Sequence, residues 1–284
     1  MTRFAYANGR YMPHADAMVH VEDRGYQFAD GVYEVIGIHQ GRLVDEELHL
    51  ERFDRSLHEL RISWPMTPAA LKLVMRELIR RNRLSDGSIY IQITRGVAQR
   101  EHAFPKRKSP PGLVMTTKRA KPLPAAALKE GVSVLTQPDI RWGRCDIKTI
   151  GLLPNVLAKQ AAVEAGAFET WFVGPAGEIT EGSSTNAWIV TEDGQVVTHP
   201  LGSKVLSGVT RLTVLRLAAE SQIKVLERPF AVHELQSARE AFLTSTSSHV
   251  LPVTRIDGRP IGNGRPGPIA MRLRELYEAE LARS

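Results

Sequence analysis

The chain has 284 residues, 43% hydrophobic and 24% charged, the balance of a folded globular protein of one large or two modest domains rather than a disordered chain. Its net charge of +6 permits an anionic partner, but the basic residues are scattered among acids. Only Lys106-Arg107-Lys108 forms a basic run, so nucleic acid is not expected as a partner. A single cysteine, Cys145, excludes internal disulfides and a cysteine-based zinc site and fits a cytoplasmic location; the chain shows no secretory signal near Met1 to Gly9 and no run of about 18 apolar residues to span a membrane.

Tyr6-Ala7-Asn8-Gly9-Arg10-Tyr11 reads as a hairpin, because Asn-Gly favours the two-residue turn. Glu22 to Gly25 reads as a loop, Asp30 to Ile38 as a strand, and His39 to Arg42 as a second turn. From Glu46 to Ile62, Leu48, Leu50, Phe53, Leu57 and Leu60 recur at helical spacing, and Pro68 opens another helix through Leu71, Val74, Met75 and Leu78. Ser88 to Arg95 and Gly112 to Thr116 read as strands. Lys121-Pro122-Leu123-Pro124 has two prolines and no periodicity. The expected organisation is therefore a smaller N-terminal α+β domain at 1–120, a linker at 121–124 and a larger C-terminal domain at 125–284. In that domain a strand is expected at Val132 to Leu135 and a helix from Pro154 to Glu164, closed by Gly166. Strands at Thr170 to Val173 and Asn186 to Val190 are expected to flank a hairpin-like Gly174-Pro175-Ala176-Gly177. A helix from Val209 to Glu220, a strand at Ala241 to Thr244 and a helix from Ile269 to Ala282 complete the pattern.

Several polar groups stand out against this background, each with a plainer reading when taken alone. Lys148 lies between the strand-like Arg141-to-Ile147 stretch and a Gly-Leu-Leu-Pro-Asn turn; most lysines are solvated surface charges. Thr180-Glu181-Gly182-Ser183-Ser184-Thr185-Asn186 offers one fixed carboxylate in a tight polar loop, or an ordinary turn. Leu206-Ser207-Gly208-Val209-Thr210-Arg211 enters a helix whose free N–H groups and dipole would attract a phosphate. Thr244-Ser245-Thr246-Ser247-Ser248 carries hydroxyls suited to phosphate oxygens. His49 and Arg52 share a helix face, and Arg52 can pair with a phosphate as a bidentate donor. Arg100 and His102, two apart in an extended segment, would point the same way and grip a carboxylate. Together these are a lysine, a carboxylate, a phosphate cup and a separate carboxylate trap, the set that pyridoxal phosphate chemistry needs. No His-x-x-x-His spacing or Gly-x-Ser-x-Gly elbow supports metal or serine chemistry.

The chain resembles the fold-type IV pyridoxal-phosphate aminotransferases nearly end to end, and within them it is most similar to the bacterial D-amino acid aminotransferases. The resemblance is carried by Glu22-Asp23-Arg24-Gly25-Tyr26-Gln27-Phe28 with Asp30-Gly31-Val32-Tyr33-Glu34-Val35, by Arg141-Trp142 with Arg144-Cys145-Asp146-Ile147-Lys148, and by Thr180-Glu181-Gly182-Ser183-Ser184 and Gly208-Val209-Thr210-Arg211. Ala29 departs from it, standing where glycine is common. The resemblance implies a two-domain α+β or α/β fold whose larger, cofactor-binding domain holds a mixed sheet or barrel. It implies that Lys148 forms the Schiff base with pyridoxal 5'-phosphate and shuttles the substrate proton, and that Glu181 pairs with the pyridine nitrogen. Arg52, Val209, Thr210 and Thr246 would hold the phosphate, Ser245 would lie near the ring and Leu206 would pack on its face. Tyr33, Arg100 and His102 would bind the substrate α-carboxylate, with His49 nearby. In the family the Arg-x-His pair arrives from the partner subunit, which implies a homodimer with a shared site. Branched-chain L-aminotransferases, R-selective amine transaminases and aminodeoxychorismate lyases share the lysine, glutamate and phosphate cup but do not characteristically carry Arg-x-His here. The implied reaction is transamination between a D-amino acid such as D-alanine or D-glutamate and a 2-oxo acid such as 2-oxoglutarate or pyruvate.

Overall fold

In the computed structural model, which describes residues 3–107 and 109–283 and so leaves Lys108 of the basic run outside, the Asn-Gly turn forms as its chemistry requires. Asn8 and Gly9 take φ of 46° and 93° and join β1 (Phe4–Ala7) to β2 (Arg10–Pro13). The stretch expected as a loop before the next strand instead contains a short helix, α1 (Arg24–Phe28), capped by Asp23, whose carboxylate accepts from Gly25 N at 2.8 Å. It ends at Ala29, whose φ of 56° is left-handed; that conformation accounts for glycine being common at this place. Strands β3 (Gly31–His39) and β4 (Arg42–Leu43) follow, then helices α2 (Glu46–Glu59) and α3 (Pro68–Arg81), β5 (Gly87–Thr94) and β6 (Gly112–Arg119). These six strands make one antiparallel sheet in the order β2-β1-β6-β5-β3-β4. Helix α2 packs on β3, and α3 packs on β1 and β6. Val32, Ile36, Ile89, Ile91 and Ile93 from the sheet meet Phe53, Leu57, Leu71, Met75 and Leu78 from the helices with essentially no exposure. Each such side chain contributes about 1.5–3 kcal/mol of burial free energy.

This first unit runs to Lys121 and also includes Ile147–Gly151, whose Ile147 lies in the same apolar core. The second unit comprises Pro122–Asp146 and the chain from Leu152 onward. The expected 125–284 stretch is thus interrupted: the segment bearing Lys148 packs with the N-terminal sheet.

The second unit contains α4 (Ala125–Lys129), β7 (Val132–Pro138), α5 (Leu153–Glu164), β8 (Glu169–Val173), β9 (Ile179–Gly182), β10 (Asn186–Val190) and β11 (Val196–Thr198). After them come α6 (Val209–Glu220), β12 (Val225–Glu227), α7 (Glu234–Ser237), β13 (Glu240–Ser245), β14 (His249–Ile256), β15 (Arg259–Pro260) and α8 (Pro268–Arg283). Their nine-stranded sheet is mixed, ordered β12-β11-β10-β13-β14-β7-β8-β9 with β15 beside β14. The β11–β12, β14–β7 and β7–β8 pairs are parallel. Strand β9 also lies against β10, so the sheet curls toward a barrel. One expectation is corrected: the turn after β8 leads into β9, pairing Val173 with Ile179 and Trp171 with Gly182, and not into Asn186–Val190. Glu181 therefore stands on a strand, and the polar loop begins at Ser183. Among the described residues no helix is long and apolar enough to cross a membrane.

Candidate active site

Lys148 is fixed by the first unit. Tyr33 N donates to Lys148 O at 2.9 Å, Ile150 N donates to Gly31 O at 3.2 Å, and Thr149 bridges Val32, so the segment runs antiparallel along the start of β3. Lys148 N also donates to Ser56 Oγ of α2 at 3.3 Å. Its Nζ stands 4.3 Å from the centroid of the Tyr33 ring, within cation–π range. Tyr33 stacks on Tyr90 of β5 at 5.5 Å, and the Tyr90 hydroxyl donates to Gln92 Oε1 at 2.7 Å. Burial, helped by the neighbouring Tyr33, pushes the Tyr90 phenol up to about 12, so it keeps its proton at neutral pH.

Strand alternation sends the next residue to the other face. Glu34 is fully buried beneath α2. Arg52 grips it with Nε at 2.9 Å from Oε2 and Nη2 at 2.6 Å from Oε1; His49 Nδ1 lies 3.0 Å from Oε1, which also accepts from Val35 N at 2.8 Å. Burial alone would raise the Glu34 carboxyl, but the Arg52 charge and the His49 hydrogen bond outweigh it and hold the group far below the ordinary carboxylate range. Burial lowers His49 despite the pull of Glu34. With 2% exposure, His49 is enclosed beside Glu34.

Arg100 and His102 occupy a bent, exposed connection after β5 rather than an extended one, yet both side chains reach the same ring. The Arg100 guanidinium carbon lies 5.2 Å from the Phe28 centroid and the His102 ring 5.5 Å from it.

On the second unit, Glu181 is 5% exposed and held from three directions. Arg141 donates to Oε1, while Asn186 Nδ2 and Leu206 N each donate to Oε2 at 3.1 Å. Arg141 is itself anchored by Asp139, with Nε 2.9 Å from Oδ1 and Nη2 2.8 Å from Oδ2, and donates to Lys204 O at 3.0 Å. Burial would lower the Arg141 guanidinium, but Asp139 and Glu181 push it above its ordinary value. Asp139, which burial alone would raise, is held low by Arg141. The Asn186 side chain also donates to Leu206 O at 3.1 Å, so Leu206 is held through its main chain.

Helix α6 begins at Val209 behind Gly208, with no side-chain cap on its N-terminus. A Cβ at Gly208 would fall inside the Asn186 amide, so only glycine lets the uncapped turn approach the residue that holds Glu181. Val209 and Thr210 are buried. Asn186 pairs with Thr244 across the β10–β13 ladder, and Ser245 and Thr246 follow directly. Ser245 Oγ accepts from Ser248 N at 3.1 Å and closes this hydroxyl-lined turn.

Glu34, Tyr90, Arg141 and Asn186 carry no role in the expectations drawn from the sequence. For Glu34 a signal existed: it shares the core-facing parity of Val32 and Ile36, where a carboxylate needs partners. Nothing in the spacing marks Asn186, whose side-chain amide donates to Glu181 and to the Leu206 carbonyl.

Residues 31–256 match the family described as amino-transferase class IV. The D-alanine aminotransferase of Staphylococcus aureus (strain N315) is 41% identical over 274 residues, 96% of this chain and 96% of that protein. That of Bacillus licheniformis is 41% identical over 271 residues, 95% of this chain and 94% of its own. Among solved structures, the Escherichia coli branched-chain amino acid aminotransferase matches with a TM-score of 0.90 at 25% identity, covering 98% of this chain and 94% of that chain. The branched-chain amino acid aminotransferase of T.th., solved with pyridoxamine 5'-phosphate, matches with a TM-score of 0.89 at 29% identity, covering 99% and 94%. The family match spans Arg52, Lys148, Glu181 and the start of α6, and the relatives extend over nearly the whole length: the chain belongs to the class IV aminotransferases.

Proposed function

We propose that this aminotransferase moves the amino group of a D-amino acid, such as D-alanine or D-glutamate, to a 2-oxo acid such as 2-oxoglutarate or pyruvate, with pyridoxal 5'-phosphate as cofactor. The observation that carries the reading is the convergence of Arg100 and His102 on one ring, a guanidinium and an imidazole placed together for an α-carboxylate. The D-alanine aminotransferases similar over nearly the full length support it.

The donor set fits the cofactor. The uncapped start of α6, Thr210 and the Ser245-Thr246 turn offer N–H and O–H groups to a phosphate, and Arg52 offers a guanidinium. Glu181 offers a fixed carboxylate oxygen to a ring nitrogen, Leu206 an apolar cover, and Lys148 a primary amine. When bound, pyridoxal phosphate supplies an aldehyde that captures the amino group and a ring that accepts the electron pair left at Cα. Lys148 Nζ would hold the cofactor and would take the substrate Cα proton as general base. Tyr33 steers that amine from beneath. Arg141, Asn186 and the Leu206 N–H keep Glu181 from turning away. Glu34 does the same for Arg52. Tyr33, Arg100 and His102 orient the α-carboxylate and so decide which face of Cα meets the lysine.

The reading includes a cytoplasmic homodimer whose partner delivers Arg100 and His102. Leu153, Val156, Leu157 and Val163 stand exposed along α5, an apolar stripe of the kind a second copy would cover. Purified protein should sediment as a dimer and turn over D-alanine with 2-oxoglutarate at least ~100-fold faster than L-leucine or an R-amine. Preference for L-leucine or the amine would sink the assignment.

A further inference from the structure

We propose that Phe28 is a specificity-determining positioning residue, its ring being the platform that holds Arg100 and His102 side by side for the substrate carboxylate. The inference rests on the reading of Arg100 and His102 given above. Three side chains meet this one ring: Arg24 at 4.8 Å, Arg100 at 5.2 Å, both measured from the guanidinium carbon to the ring centroid, and the His102 ring at 5.5 Å and 53°. Arg100, His102 and their neighbours are exposed, in a connection without regular structure. An exposed arginine has many rotamers, and ordering it on binding is costly. An aromatic face holds a guanidinium without using up its N–H donors, which stay available to a carboxylate.

The platform is itself fixed. Phe28 ends α1, whose buried Arg24 donates from Nε to Asp30 Oδ2 at 2.8 Å. Arg24 also reaches across to the connection, donating from Nη1 to Glu101 O at 2.5 Å and from Nη2 to His102 O at 3.3 Å. One side chain therefore pins the main chain between the two trap residues while the ring beside it receives their side chains. Asp30 is shared with Arg95, which donates to it at 2.7 and 2.9 Å and stacks 3.7 Å from the centroid of Phe104 further along the connection. Burial would raise the Asp30 carboxyl, but Arg95 and Arg24 hold it below its ordinary value. One carboxylate thus serves two guanidiniums, and Arg100 adds a third positive charge, which favours an incoming carboxylate.

The test uses the holoenzyme and four variants: Phe28→Leu, which keeps apolar bulk but loses the π face, Phe28→Tyr, which restores it, Arg100→Ala, and Phe28→Leu combined with Arg100→Ala. Steady-state kinetics with D-alanine and thermal midpoints are measured for each. Phe28→Leu should raise KM for D-alanine about five- to tenfold with kcat within about twofold of the parent. Phe28→Tyr should return KM to the parental value, and the double variant should have the KM of Arg100→Ala alone. A normal KM in Phe28→Leu alongside a raised KM in Arg100→Ala would overturn the platform while leaving the carboxylate trap intact. So would losses in kcat and thermal midpoint as large as the change in KM, because they would mark a packing role. A normal KM in Arg100→Ala would overturn the trap itself, and the platform with it.

Discussion

Each unit of the chain buries a carboxylate against an arginine, and the two pairs are built in opposite senses. In the first, the Glu34 side chain has no exposure and takes hydrogen bonds from Arg52, His49 and its own strand, while the Arg52 side chain retains 10% exposure. The carboxylate is the scaffold and the arginine is what it presents. In the second, Arg141 is anchored on Asp139 and the Lys204 carbonyl before it meets Glu181. There the arginine is the scaffold and the carboxylate is presented. A buried ion pair is weak evidence for stability and by itself says nothing about function. In each pair the member with the additional structural anchors holds its partner in place.

The sharpest way to break this contrast is Glu34→Ala. It removes the buried carboxylate that the Arg52 guanidinium and the His49 ring share, and stability should fall by about 3–5 kcal/mol, measured by urea unfolding of wild type and variant. A loss below about 1 kcal/mol would show that Arg52 is held elsewhere and that Glu34 is no scaffold. Glu181→Gln should behave in the opposite way. Arg141 keeps Asp139, so the fold should lose only about 1 kcal/mol. The rate of the amino-acid half-reaction, followed in a single turnover, should nonetheless fall by about 10²-fold or more. Normal turnover in that variant would remove Glu181 from the chemistry and leave both pairs structural.

The two pairs also show what could be read in the sequence. The Asn-Gly hairpin and the amphipathic α2 and α3 were legible because each rests on local spacing. Strand β9 was not, since four residues, Ile179–Gly182, are too few to display an alternation and two of them are Glu and Gly. Strand β14 carries Pro252 yet pairs on both sides, with β13 and with β7, a place where proline is unusual. The return of Ile147–Gly151 to the first unit is a long-range packing event with no local mark. Partners acting across the fold were hidden for the same reason: Glu34 is 18 residues from Arg52, and Arg141 is 40 from Glu181.

The smallest expected effect separates the pairs by pH. His49 lies beside Glu34, whereas the Arg141 pair has no histidine in contact with either member among its described hydrogen bonds. Burial lowers the folded His49 below its ordinary 6.5, so from about 6.5 downward the unfolded chain binds more protons than the folded one. The stability tied to neutral His49 is therefore fully present above 6.5 and is lost as pH falls toward the folded value. Glu34 and Asp139 are both depressed in the fold, from ordinary values of 4.5 and 3.8, so their contributions are present above those values and fade only in stronger acid. Between pH 7.5 and 5.5 only the first pair should weaken. His199 is lowered in the same direction, by burial, but it is present in wild type and variant alike and cancels in the comparison. The wild-type thermal midpoint should drop between these two pH values by about 2–4 °C more than that of His49→Gln, whose amide can still donate to Glu34 without titrating. A smaller drop in wild type than in His49→Gln would mean that His49 stays charged in the fold across this range. Glu34 would then be balancing two cations, and Arg52 would no longer be the one group it presents.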